Sequence, residues 1–126
     1  MKVAISSSGK TLESNVDSRF GRCPYFVIYD TGSGDLKAID NQGRQAMGGA
    51  GIQAAQMVSD EKVEAVITGN IGPNAFKVLS SASIDVFSGV SGSVENAIEK
   101  IKSGQLKTTT APDAPSHFGT GPKWNE

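Results

Sequence analysis

Two short β-branched runs in the second half of the chain, residues 64–68 (EAVIT) and 84–87 (IDVF), are separated and followed by segments of helical period. A strand that returns to its sheet through a helix lies parallel to its predecessor, because such a crossover cannot act as a hairpin. Pro73 suits the first position of the intervening helix, where its missing N–H costs nothing, and Ala75, Val78, Leu79 and Ala82 form one apolar stripe behind it. The last helix starts near Ser93, buries Val94, Ala97, Ile98 and Ile101, and stops at Gly104.

The first half has the other periodicity. Residues 2–6 (KVAIS), 25–30 (YFVIYD) and 35–41 (DLKAIDN) read as strands, the last two joined through Thr31-Gly-Ser-Gly34 as a hairpin. A compact helix over 52–58 begins after Gly51. The expected fold is therefore α/β: a mixed five-stranded sheet, three antiparallel strands and then two parallel ones, flanked by helices. Its order resembles that of ribonuclease-H-like domains. With 126 residues there is room for one domain. We place its end at residue 107, because residues 105–126 hold three prolines and a threonine run without periodicity. Residues 108–126 read as a disordered tail whose removal leaves the melting temperature unchanged.

Several functions are disfavoured. A net charge of −1 lacks the basic excess that phosphate backbones require. No apolar run is long enough to span a membrane, and the start is no signal peptide. A lone cysteine suits a reducing cytoplasm, which is the expected location. Ala4-Ile-Ser-Ser-Ser-Gly-Lys-Thr11 fits a relaxed phosphate-loop pattern, but no long helix can follow it, so Lys10 at most lends charge to a site nearby. Asp30, Asp35 and Asp40 sit around one hairpin, and the first strand has no carboxylate, which argues against a metal-dependent nuclease.

The chemistry gathers in VDSRFGRCPYFVIYD, residues 16–30. Arg19 and Arg22 carry charge that no pH change removes and suit a polyanion. Cys23 is a soft ligand whose pKa adjacent arginines would lower; the plainer readings are a semi-buried cysteine and an Arg19–Asp17 salt bridge. Two glycine turns follow the parallel strands, one with Gly69, Asn70 and Gly72, the other with Gly89, Ser91 and Gly92. Helix N-termini beyond such strand ends present free amides to anions. The loop over 41–51, with Arg44, Met47, Gly48, Gly49 and Gly51, belongs to the same candidate pocket, as does Gly21.

VDSRFGRCPYFVIYD, GGAGIQAA, VEAVITGNIGPNAFKVL and IDVFSGVSGSVENAIEKIKSGQL, in this order, resemble the dinitrogenase iron–molybdenum cofactor biosynthesis family, the NifX-like and NifB-C-terminal-like domains. The resemblance spans about residues 1–107 and implies a ribonuclease-H-like fold without nuclease carboxylates. It also implies noncovalent carriage or assembly of an anionic metal–sulfur cluster, either an iron–molybdenum cofactor precursor or the molybdenum–copper sulfide type carried by small stand-alone members. On this reading the chain is no enzyme, its partners are the cluster and a donor or acceptor protein, and Cys23 or Met47 supplies a soft contact. His117, the only histidine, falls in the presumed tail and is not a ligand. The alternative is a module that binds a small anion or a protein partner without metal.

Overall fold

The computed structural model describes residues 1–112. Strands β1 (Lys2–Ser7), β2 (Tyr25–Asp30) and β3 (Leu36–Asp40) form an antiparallel meander. At the β2–β3 turn the Asp30 carboxylate accepts from the amides of Gly32 at 2.8 Å and Ser33 at 3.3 Å, bonds that hold its pKa below the ordinary value. Gly34 takes the left-handed φ of 81° that closes this turn. Then follow α1 (Ala50–Asp60), β4 (Ala65–Ile67), α2 (Pro73–Ser81), β5 (Asp85–Phe87) and α3 (Val94–Lys102). β4 pairs parallel with β1, Val3 opposite Ala65, and β5 pairs parallel with β4. The strand order is β3-β2-β1-β4-β5, the expected ribonuclease-H-like mixed sheet.

Strand alternation divides the core into two layers. Ala4, Phe26, Ile28, Val66 and Val86 face α1 and α2, packing on Ala54, Ala55, Val58 and Leu79. Val3, Ile5, Val27, Ala65 and Ile67 face α3 through Val94, Ala97, Ile98 and Ile101. Each of the larger aliphatic side chains buried by α3 contributes about 1.5–3 kcal/mol. Ser93 caps that helix by accepting from Asn96 N at 3.0 Å, with Glu95 in its first turn and Lys100 and Lys102 in its last.

Three expectations are corrected. α1 begins at Ala50, not after Gly51, because Gly49 with φ 75° supplies the turn into it. Ala82 is exposed and caps the end of α2 instead of extending its buried stripe. The described start of the presumed tail is attached: Thr109 N donates to Val86 O at 2.7 Å, and Ser88 N donates to Thr109 Oγ1 at 2.9 Å. An edge strand has backbone groups to satisfy, and Thr109 meets part of that need for β5. The rest of the tail, His117 included, lies outside the described residues. Residues 8–15 fold back on themselves, with Ser8 N donating to Asn15 O at 2.9 Å, so no helix stands behind the phosphate-loop-like segment. Lys10 lies 5.3 Å from the centre of the Tyr25 ring.

Candidate anion-binding cleft

A cleft of about 420 Å³ opens beyond the carboxyl end of β4. Its walls are residues 18–22, residues 49–52 at the start of α1, and residues 70 and 72–75 at the start of α2. The turn into α2 is bound to the 17–20 segment along its length. Asn70 N donates to Ser18 O at 2.8 Å, Phe20 N donates to Asn70 O at 3.2 Å, and the Phe20 ring packs on Phe26 with centroids 5.2 Å apart.

Glycine permits this close approach. A Cβ on Gly21 would lie 2.9 Å from the backbone of Gly51, and one on Gly69 would lie 2.5 Å from Ser18 Cα. The two helices that reach the cleft also differ from α3 at their starts. Their N-cap positions are Gly49 and Gly72, and neither receives a side-chain cap. The first amides of a helix have no intrahelical acceptor, so both N-termini present donors and partial positive charge to the same space.

The two arginines play different parts. Arg19 is bidentate on Asp17, Nε to Oδ1 at 3.1 Å and Nη2 to Oδ2 at 3.2 Å, and this partner raises its pKa. The salt-bridge reading therefore holds for Arg19, without removing it from the cleft rim. Arg22 makes no ion pair among the described residues; its Nη1 donates to Arg44 O at 2.6 Å and Ala46 O at 2.8 Å. Those carbonyls leave its charge uncompensated. No carboxylate lines the cleft, and among the described residues no group of three or more His, Cys, Asp or Glu is placed to hold a metal ion.

Of the residues singled out in the sequence, the cleft brings together Arg19, Gly21, Arg22, Gly49, Gly51, Asn70 and Gly72. Arg44 instead turns away, donating from Nη1 to Pro24 O at 3.3 Å beside a separate groove with Tyr25 and Asp40. Met47, fully exposed, and Gly48, exposed, lie on the loop that leads to Gly49, outside the lining. Gly69 acts behind the wall through its contact with Ser18. Gly89, Ser91 and Gly92 belong to the turn entering α3, on the other layer: Gly89 N donates to Gly69 O, and Gly92 O accepts from Val16 N. The two glycine turns thus do not share one pocket.

Cys23 reverses its expectation most clearly. It is buried completely, its Sγ donates to Phe20 O at 3.3 Å, and burial pushes its pKa up to about 12 instead of down. In this fold the thiol is a core group, and Cys23 is not part of the cleft lining. Phe20 and Ala75, which supply apolar wall, Asn74 in the first turn of α2 and the buried Asn41 were not among the expected site residues. Asn74 carried a signal, since it directly follows a proline suited to a helix start.

Residues 1–104 match the family model described as dinitrogenase iron–molybdenum cofactor. A curated relative, an uncharacterized protein of Methanocaldococcus jannaschii, is 31% identical over 111 residues, covering 85% of this chain and 94% of that one. The apo orange protein of Desulfovibrio gigas superposes with a TM-score of 0.86 at 32% identity, over 88% of this chain and 94% of that one. A NifB candidate from Thermotoga, solved by NMR, is 37% identical with a TM-score of 0.76, over 90% and 98% of the two chains.

Proposed function

This chain belongs to the dinitrogenase iron–molybdenum cofactor family, and on that premise we propose that its cleft receives an anionic metal–sulfur cluster as cargo and holds it without covalent bonds. One observation carries the reading: two uncapped helix N-termini and the uncompensated Arg22 converge on a cleft that has no carboxylate in its lining. A cluster whose metals already carry their sulfides needs no further ligands. It needs N–H donors, positive potential and an apolar wall, here Phe20, Ile52 and Ala75. Charge-assisted hydrogen bonds contribute about 1.5–3 kcal/mol each, so a few of them hold a ligand that can still be handed on. The lining offers no histidine or carboxylate as a general base, which favours carriage or assembly over catalysis. The cargo is of the iron–molybdenum precursor or molybdenum–copper sulfide type, exchanged with a donor or acceptor protein.

The test is anaerobic titration with tetrathiomolybdate, with and without copper, followed by visible spectra and metal analysis after gel filtration. The expected result is a coloured protein with about one cluster per chain that phosphate does not displace. Equal displacement by phosphate would favour the small-anion reading, and no colour would defeat the proposal.

A further inference from the structure

Arg22 is fixed from two sides, and both trace to one buried residue. Asn41 is 2% exposed and stands where β3 ends. Its Nδ2 donates to Gly21 O at 3.0 Å and to Cys23 O at 2.9 Å, the carbonyls on either side of Arg22. Its backbone N donates to Pro24 O at 3.0 Å, and its own carbonyl accepts from Arg44 N at 3.3 Å, which begins the turn carrying Arg44 O and Ala46 O. Those are the two acceptors of Arg22 Nη1. The guanidinium has five N–H donors in a rigid fork, and Nη1 supplies only two of them. The three N–H groups of Nε and Nη2 have no partner among the described residues, on a side chain that lines the cleft.

Asn41 Oδ1 is buried without a hydrogen-bond partner among the described residues. A buried amide with an idle acceptor is held for its donor end, because the acceptor's desolvation is offset only by the bonds that Nδ2 makes. From this geometry we infer that Asn41 is a positioning residue: it touches no cargo, but sets the backbone and the side-chain strap that aim Arg22 at the cleft. The inference rests on the cargo reading above. Preorganising the one cation of the cleft lining without an ion pair lowers the ordering entropy lost on binding, so the effect falls on affinity for anions.

The test is a double-variant cycle titrated with tetrathiomolybdate, together with NMR relaxation of the arginine side-chain Nε groups in the ligand-free protein. Asn41→Ser and Arg22→Gln should each weaken probe binding about tenfold, and the double variant should bind no more weakly than Arg22→Gln alone. Asn41→Ser should mobilise the Arg22 Nε and leave the Arg19 Nε, tied to Asp17, as it is in the parent. Losses that multiply, or an Arg22 Nε that stays rigid, overturn the assignment. Should Asn41→Ser fail to fold, Asn41→Asp goes through the same cycle, since it keeps the shape and removes the donors. A parent protein that binds no tetrathiomolybdate defeats the cargo reading alone; the relaxation measurement still decides what Asn41 does.

Discussion

Arg19, Arg22 and Cys23 stand within five residues of one another, yet the fold gives each a different task. Arg19 and Asp17 form a pair whose fields largely cancel, whereas Arg22 is bonded only to neutral carbonyls. Replacing the pair together, Asp17→Asn with Arg19→Gln, should leave affinity for tetrathiomolybdate within about threefold, while Arg22→Gln alone should lower it about tenfold in the same titration. Cys23 makes a prediction about alkali. Its thiol has an ordinary pKa of 9.0 and is raised to about 12 in the fold, so the unfolded chain loses this proton first. Its stabilising effect is intact below pH 9 and is lost as pH rises toward 12, at up to about 1.4 kcal/mol per pH unit. Urea denaturation of the parent and Cys23→Ala between pH 8 and about 11 should show the smaller slope in the variant. The burial was legible in the sequence in one respect. Arg19 and Arg22 are three apart, as are Phe20 and Cys23, and in a tight turn these pairs take opposite sides. What no local pattern revealed is that the apolar pair turns inward onto Phe26 while Asn41 closes the space behind it.

Helix starts distinguish the side-chain-capped α3 from α1 and α2, whose uncapped starts border the cleft. Ser93→Ala removes the cap of α3 and should lower stability by about 1 kcal/mol in denaturant melts, with uptake of tetrathiomolybdate unchanged. Gly21→Ala should do the reverse in emphasis. Its Cβ meets the backbone of Gly51 at 2.9 Å, so the 18–22 wall must move off α1, costing about 1–3 kcal/mol and weakening uptake in the same titration. The strands and helices were readable because each has its own period and each glycine turn interrupts it. The cleft was only half readable. Both glycine turns follow parallel strands, but α2 and α3 cover opposite faces of the sheet, and only the turn into α2 meets residues 18–22. Which face a helix takes is decided by the whole sheet, not by the turn that introduces it.

At the scale of the molecule, the sheet has two edges, and β5 is one of them. Ending the chain after Lys107 removes the Thr109 bonds to Val86 and Ser88. Such a truncation should cost about 1–3 kcal/mol, seen as a lower melting temperature, contrary to the removable tail that composition suggests. The strand order has a further consequence, for timing. β1, β2 and β3 are neighbours in sequence and can pair early, but Val3 must also find Ala65 from far along the chain before β4 is seated. The three walls of the cleft come from segments on both sides of that late step. A half-folded chain therefore lacks a complete cleft, and on the proposed cargo reading loading would follow folding. Stopped-flow measurements should find the refolding rate indifferent to tetrathiomolybdate and the unfolding rate slowed by it, because a ligand that meets only the finished sheet stabilises the native state and not the barrier leading to it.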